Sequence, residues 1–257
     1  MNESIERIYS QIYKNMHALR RNTFRLSDVL IWPMIFLFTL TFFATYLGTD
    51  TVYLNMIILG MMGWRVIYFL NLEIVSTFVE EYWSKSLAFL LISPISRLEF
   101  ALGSAASGLI KGAFVVLTYI IFTNIMYGFV VPDWGTFALA MFFMALIGFS
   151  MGLVTLGIGY YWKEEAFNIA FIWPDVIVLL SGVYFTVESV YPPEALPLIY
   201  AIPSTHAFNL LKSMVGVAQA DVPLLALLTA FWLAAAYLFN GFMYEKARRA
   251  GKLTRLG

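Results

Sequence analysis

The sequence predicts an all-α integral membrane protein with six transmembrane helices. Of its 257 residues, 61% are hydrophobic and only 12% are charged, which leaves too little polar surface to cover a soluble protein of this size. Six apolar runs have the length of about 20 residues that a helix needs to cross a bilayer core of about 30 Å. In addition, the positive charges are distributed unevenly among the connections between these runs.

The apolar runs give the predicted order of the spans along the chain. They lie at residues 29–48, 53–76, 104–128, 136–161, 167–187 and 222–243. Only a few residues separate the first run from the second, which predicts that these two spans are antiparallel neighbours. Residues 1–257 are therefore expected to form one transmembrane domain.

Most Lys and Arg residues fall in segments on one side of the predicted membrane. The exceptions are Arg65 and Lys111, which lie inside apolar runs, and Lys212, which lies in the fifth connection. The remaining basic residues precede the first run, lie in the second and fourth connections, or belong to the C-terminal tail: Arg7, Lys14, Arg20, Arg21, Arg25, Lys85, Arg97, Lys163, Lys246, Arg248, Arg249, Lys252 and Arg255. Because cytoplasmic loops carry an excess of Lys and Arg, both termini are predicted to be cytoplasmic.

The segment before the first run, residues 3–25, has the pattern of a basic amphipathic helix. Its large apolar residues recur at spacings of three and four: Ile5, Ile8, Ile12, Met16 and Leu19. Its basic residues lie away from this narrow face, which predicts a helix in the cytoplasmic membrane interface, held by apolar burial and anionic lipid. The alternative is a soluble helix that packs on a partner.

The stretch between the second and third runs, Glu80 to Gly103, has a helical period instead of the composition of a simple turn. Before Pro94 its apolar residues recur at i, i+4, i+7 and i+8: Trp83, Leu87, Leu90 and Leu91. Polar residues occupy the other side: Glu80, Glu81, Ser84 and Lys85. The pattern predicts an amphipathic helix at the membrane surface, within residues 80–97, whose polar face docks a partner.

Four charged residues interrupt the apolar runs, and they are the first candidates for function. A charge within a bilayer is costly and normally faces a bundle interior or a water-filled cavity. Arg65 is predicted either to line a transport pathway or to form a structural ion pair. Lys111 is expected at a depth between Arg65 and Glu73, so that it pairs with Glu73 or extends to the inner surface. Pro174 predicts a kink beside Asp175, which could bind a cation, relay protons or pair with a basic residue.

The segment between the last two runs, residues 188–221, contains four prolines and mixed polar and apolar residues. This composition predicts short, broken helices that dip into the outer interface. His206 follows Ser204 and Thr205, but no acid at a fixed spacing supports a catalytic role. The chain has no cysteine, so it has no Cys-based metal or redox site, and no metal site is predicted. It also lacks the G-x-x-x-x-G-K-[ST] phosphate loop of an ATPase.

Three stretches together resemble the membrane subunit of an ATP-binding cassette (ABC) transporter of the type-2 permease family, the exporter group. They are the N-terminal amphipathic helix, the E-x(12)-SPISRLEFALG stretch that begins at Glu80, and SVYPPEALPLIYAIPSTHAFNLLKSMV before the last run. The second resembles the family's coupling helix followed by its T/S-P-x-S-R-x-E-F-x-x-G signature. The third resembles the family's proline-containing segment before the last span. The resemblance covers nearly the whole chain.

The resemblance implies a non-catalytic transport subunit in a cell (inner or plasma) membrane. It implies that two copies form a homodimer within the lipid bilayer and bind two nucleotide-binding ATPase subunits. Those ATPase subunits would hold ATP and Mg. It implies no nucleic-acid partner. The family's coupling contacts correspond here to Glu80, Glu81, Trp83, Lys85, Leu87 and Arg97. Its substrate pathway corresponds to Arg65, Asn71, Glu73 and Asp175, while Lys111 is expected to be a structural charge.

The N-terminal sequence RRNTFRLSDVLIWP departs from the R-Y-x-x-S-x-L-G-x-x-W pattern of the polysaccharide-exporting branch. The departure favours a small amphiphile, drug, lipid or peptide as substrate. Two other classes of protein stay open: an ion-coupled transporter or channel that uses Arg65, Glu73, Lys111 and Asp175, and an intramembrane enzyme. The internal repeat of many secondary transporters is not apparent, and no residues have the spacing of a catalytic centre.

Overall fold

A computed structural model describes residues 3–253 of the chain, and their regular secondary structure is entirely α-helical. The helices are α1 (Glu3–Arg21), α2 (Thr23–Tyr46), α3 (Thr51–Trp83), α4 (Leu87–Ile92), α5 (Arg97–Tyr127), α6 (Trp134–Trp162), α7 (Glu165–Leu180), α8 (Val187–Val190), α9 (Leu196–Tyr200), α10 (Pro203–Ser213) and α11 (Val222–Arg249). Within the described range, five helices are long and apolar enough to cross a membrane: α2, α3, α5, α6 and α11. The protein is thus a helical, multi-pass membrane protein.

The predicted fifth span, residues 167–187, is not confirmed as a span. The helix in this region, α7, has 16 residues and is therefore about 24 Å long at 1.5 Å per residue. It ends at Leu180, earlier than the apolar run suggested, because the chain turns through Gly182 at a φ of +61°. Such a left-handed conformation suits glycine and ends the helical hydrogen-bond pattern.

Helix α3 lies at the centre of the bundle and packs against α5, α6, α7 and α10. Small residues on its neighbours allow this close packing. A β-carbon at Gly108 of α5 would lie 2.6 Å from the carbonyl oxygen of Phe69, and one at Gly148 of α6 would lie 2.9 Å from the Ile67 backbone. Because α3 is buried on most sides, its polar side chains must find their partners within the protein.

The basic segments of the chain gather at one end of the bundle, formed by α1, α4, the α6–α7 turn and the C-terminus of α11. We call this the basic end. Here the Trp83 indole donates a hydrogen bond of 3.1 Å to Glu164, and the Arg97 guanidinium lies 4.6 Å from the Tyr244 ring centroid. Arg255, predicted to belong to the same basic tail, lies outside the described residues.

Helices α8, α9 and α10 lie at the opposite end, near the beginning of α3, where Gly60 packs against the carbonyl of Val183. The broken helices predicted for residues 188–221 are present. Helix α10, however, is inserted among α3, α6 and α11 and does not lie on the surface. Its Ser204 and Phe208 are fully buried. The Trp232 indole of α11 donates to the Ala201 carbonyl and closes this end of the bundle.

Candidate functional site

Helix α1 packs along α5 through a polar face. Gln11 and Asn15 are its buried residues: the Gln11 amide donates to the Ser104 hydroxyl at 3.4 Å, and the Asn15 amide donates to the Thr77 hydroxyl at 3.2 Å. The apolar residue Ile5 remains exposed. The helix is therefore docked on the chain's own helices through polar side chains, which neither predicted alternative described, while part of its apolar face stays uncovered.

The SPISRLEFALG stretch has a clear structural basis. Ser96 begins α5 with a capping box: its hydroxyl accepts a hydrogen bond from the Glu99 amide at 3.2 Å, and the Glu99 carboxylate accepts one from the Ser96 amide at 2.7 Å. A β-carbon at Gly103 would lie 2.7 Å from the β-carbon of Gln11. The stretch thus starts α5 and allows α1 to pack directly on it.

The two acids predicted to contact a partner, Glu80 and Glu81, form ion pairs within the chain. Glu80 pairs with Arg25 at the start of α2, and Glu81 pairs with Lys14 of α1. These pairs connect the C-terminal end of α3 to α1 and to the start of α2. Their observed role is thus to join neighbouring helices at the basic end.

The predicted apolar stripe through Trp83 and Leu87 on one helix is wrong. Helix α3 ends at Trp83, and Lys85 adopts a φ of +59°, so the chain turns before α4 begins at Leu87. A residue with positive φ breaks the helical register that the spacing assumed. As a result Leu87 is 3% exposed, in the core, and is not available to a partner.

The turn instead exposes two other apolar side chains on α4, which the sequence reasoning missed. Phe89 is 71% exposed and Ile92 is 81% exposed, at the basic end. Their spacing of three residues places them on one helical face once α4 begins at Leu87. An open groove of about 740 Å³ separates α4 from α1 and includes Phe89 in its lining. Large apolar side chains exposed side by side at a polar end of a protein are candidates for a binding surface.

Arg65 is almost fully buried, at 6% exposure, beside a cluster of aromatic rings. Its Nε donates a hydrogen bond of 3.1 Å to the Tyr119 hydroxyl. Its guanidinium carbon lies 4.4 Å from the Trp64 ring centroid, 5.4 Å from that of Phe36 and 5.7 Å from that of Tyr68. Within residues 3–253 no carboxylate pairs with it. Cation–π interactions and the Tyr119 hydrogen bond therefore stabilise its charge.

Arg65 and Asp175 line the same groove, between α2, α3 and α7, with a volume of about 430 Å³. We call it the charged groove. Its lining residues are Asp28, Trp32, Ile35, Phe36, Thr39, Trp64, Arg65, Tyr68, Phe171 and Asp175. The structure thus brings together two of the four predicted pathway residues and adds a second acid, Asp28. Asn71 and Glu73 do not line this groove.

Asn71 is fully buried and connects three helices. Its amide donates to the Ala170 carbonyl of α7 at 2.8 Å, and its amide oxygen accepts from the Thr155 hydroxyl of α6 at 3.1 Å. Ala170 precedes Pro174 by four residues, and proline has no amide N–H to bond that carbonyl. Asn71 therefore supplies the hydrogen bond to Ala170 that Pro174 cannot make within α7.

Glu73 of α3 and Lys111 of α5 form a buried ion pair. Glu73 Oε2 and Lys111 Nζ are 2.5 Å apart, and each side chain is 7% exposed. Of the two alternatives predicted for Lys111, the geometry supports pairing with Glu73 and not extension to the inner surface. Glu73 is engaged with Lys111 at a helix–helix contact and does not face the charged groove.

The hydroxyl and imidazole groups around His206 bond to other neighbours. A hydrogen bond of 2.6 Å joins the Ser204 and Ser181 hydroxyls, and the His206 Nε2 atom lies 2.9 Å from the Tyr200 carbonyl oxygen. Ser204 and His206 are therefore not hydrogen-bonded to each other as a nucleophile and its base would be. Their contacts hold α10 against the segments that precede it.

Lys212 of α10 is a buried basic residue from which we expect a pH dependence of stability. It is 1% exposed, and its ammonium donates to the Phe185 carbonyl at 2.6 Å. Burial lowers the pKa of Lys212 from its ordinary value of 10.5 to about 8, although nearby Glu188 opposes this shift. The unfolded chain therefore binds more protons than the folded chain between these two values, and we expect the free energy of unfolding to rise from pH 8 to pH 10.

The free energy of unfolding should rise by about 3 kcal/mol at most between pH 8 and pH 10. Thermal unfolding in a nonionic detergent across this pH range measures this rise. Replacing Lys212 with Met should remove it, whereas replacing the exposed Lys246 with Met should preserve it. Equal pH dependence in the two variants would show that Lys212 is not the group responsible.

No protein-family model matches the chain, and a search of curated proteins finds no significant match. The sequence motifs, the geometry of the basic end and the geometry of the charged groove are therefore the features that bear on function.

Proposed function

We propose that this protein is the membrane subunit of an ABC exporter, which pairs with a second copy and is driven by separate nucleotide-binding subunits. The observation that carries the proposal is the exposed pair Phe89 and Ile92 on α4. A helix of six residues that joins two long helices and exposes two large apolar side chains suits the docking of a soluble partner. This chain supplies the docking helix, while the partner binds ATP and Mg.

The proposed exporter has six crossings, the fifth made by α7 and the residues that follow it. Two contacts support this path: Glu164, just before α7, bonds to Trp83 at the basic end, while Ser181, just after α7, bonds to Ser204 of α10. With six crossings, the basic end and both termini lie in the cytoplasm by the positive-inside rule. Helix α1 then lies in the cytoplasmic interface, and α8, α9 and α10 lie on the outer side.

In this arrangement α4 is the coupling helix. Its exposed side chains contact the partner, and its buried Leu87 anchors it to the bundle. Glu80 and Glu81, through Arg25 and Lys14, connect the same region to α1 and α2. A displacement of α4 would therefore move α1 together with α3 and α5, which begin or end beside α4 and carry the predicted pathway and charge residues.

The docking surface can be tested by affinity purification from the native membrane. We expect the wild-type chain to recover a soluble ATPase subunit with a phosphate-loop motif, identified by mass spectrometry. The double variant Phe89→Asp and Ile92→Asp should lower this recovery more than tenfold, because each buried apolar anchor of an interface contributes about 2 kcal/mol or more.

Phe89→Leu with Ile92→Val is the matched control, since it keeps an apolar surface and should retain the ATPase. The amount of folded membrane subunit is measured by gel filtration in both cases. Unchanged ATPase recovery by the aspartate variant, or transport by the purified chain alone in liposomes, would contradict the proposal.

A further inference from the structure

The charged groove contains three aspartate or arginine side chains that no ion pair connects. Asp28, Arg65 and Asp175 all line it, but within residues 3–253 none of them is paired with an opposite charge within 4.0 Å. Charges in membrane helices normally pair with each other or face a cavity. Glu73 and Lys111, at 2.5 Å, illustrate the direct pairing of a structural contact in this same bundle.

Arg65 has donors to spare for a bound group. Tyr119 engages its Nε, and no hydrogen bond to its two terminal nitrogens is present within the described part of the chain. The side chain is nevertheless more than nine-tenths buried. Its planar guanidinium suits a phosphate or carboxylate, which it can bind through two parallel hydrogen bonds.

The walls of the groove are aromatic. Trp32, Phe36, Trp64, Tyr68 and Phe171 contribute to its lining, and Trp32 and Phe171 are exposed at its edge. In a membrane this edge faces lipid or a second copy of the chain. The volume of about 430 Å³ lies within the range of small-molecule sites, so an apolar group can lie on the rings while a polar group reaches the charges.

The signs of the charges limit the ligand. A purely cationic amphiphile would satisfy Asp28 and Asp175 but be repelled by Arg65, and a purely anionic amphiphile would meet the opposite difficulty. We propose that the charged groove binds a zwitterionic amphiphile. Its phosphate or carboxylate binds the Arg65 guanidinium, its ammonium binds Asp28 or Asp175, and its apolar part packs on the aromatic walls.

This inference rests on the proposed function for the role of the ligand as transported substrate, but binding itself requires no ATPase. The test is isothermal titration calorimetry of the purified chain in a nonionic detergent. The probes are a short-chain phosphatidylethanolamine, a phosphatidylglycerol with the same acyl chains, an alkylammonium, and free phosphoethanolamine. We expect phosphatidylethanolamine to bind at least tenfold more tightly than each of the other three.

The variants separate the two halves of the site. Arg65→Gln should weaken phosphatidylethanolamine and phosphatidylglycerol at least tenfold and should tighten the alkylammonium, because it removes the cation that repels this probe. Asp28→Asn with Asp175→Asn should weaken phosphatidylethanolamine and the alkylammonium and should tighten phosphatidylglycerol, because it removes the acids that repel this probe. The aspartate variants change partly exposed side chains, so they test the proposal even where loss of Arg65 impairs folding. Glu245→Gln, outside the groove, is the control and should bind as the wild type does.

Equal affinity for the alkylammonium or for phosphatidylglycerol would overturn the zwitterionic site, as would groove variants that bind like the wild type. Equal affinity for free phosphoethanolamine would overturn the role of the aromatic walls. Tight phosphatidylethanolamine binding by a chain that recruits no ATPase would contradict the exporter proposal alone. Recruitment of an ATPase without this binding would contradict the site alone.

Discussion

Replacing Lys111 with Met should lower the free energy of unfolding by about 3–5 kcal/mol, because the buried Glu73 carboxylate then has no cation to pair with. Replacing both residues with apolar ones, Lys111→Met and Glu73→Leu, should recover most of this loss, since no unpaired charge remains in the contact between α3 and α5. The free energies can be measured by titration with sodium dodecyl sulfate, monitored by circular dichroism.

An exposed ion pair provides the control for this experiment. Arg248 and Glu245 are 2.7 Å apart on the surface of α11, with side chains that are well exposed. Glu245→Ala should change stability by less than about 1 kcal/mol. If Lys111→Met had an equally small effect, or if the double variant were as unstable as the sum of its parts, the pair would not be the buried structural contact described above.

The same double variant also separates structure from transport at Glu73. A chain that is stable and still transports would assign Glu73 to structure alone. A chain that is stable but inactive would support the original prediction that Glu73 belongs to the substrate pathway.

Replacing Asn71 with Leu should destabilise the protein by about 2–3 kcal/mol. The change leaves the Ala170 carbonyl of α7 without a hydrogen-bond donor in a buried site. Thr155 is less affected because its one hydroxyl proton can then be donated to the Met151 carbonyl oxygen, which lies 2.9 Å away. The measurement is again unfolding in sodium dodecyl sulfate, with Leu chosen to retain the volume of Asn.

Pro174→Ala supplies the decisive comparison for Asn71. Alanine restores the amide N–H that can bond to Ala170 within α7, so the carbonyl no longer depends on Asn71. The double variant Asn71→Leu and Pro174→Ala should therefore be more stable than Asn71→Leu alone. Simple additivity of the two changes would contradict the coupling of Asn71 to the proline kink.

The features that could be predicted from the sequence depend on local pattern or on length. Apolar run length located α2, α3, α5, α6 and α11, because the bilayer thickness sets the length of a span. The depth of two antiparallel helices made the pairing of Lys111 with Glu73 one of two predicted alternatives, and it is the one observed. The capping box of Ser96 and Glu99 has the S-x-x-E spacing that is typical of a helix N-terminus.

The features that could not be predicted depend on single backbone conformations or on packing between distant helices. Lys85 adopts a left-handed conformation, which is unusual for a residue other than glycine and changes the direction of the chain before α4. As a result Leu87 is buried, while Phe89 and Ile92 are exposed. The turn at Gly182 shortened α7. Asp28 joined Arg65 and Asp175 only because α2 and α7 lie on the same side of α3, which no local pattern encodes.

The docking of α1 has a consequence for the order in which the protein is assembled. Glu81, the partner of Lys14, is synthesised 67 residues later, and Ser104, the partner of Gln11, is synthesised 93 residues later. During synthesis α1 therefore exists for some time without its protein partners. Uncovered apolar side chains on α1, such as Ile5, can bind the lipid surface during that interval. We therefore expect α1 to lie on the membrane until α5 is synthesised and packs against it.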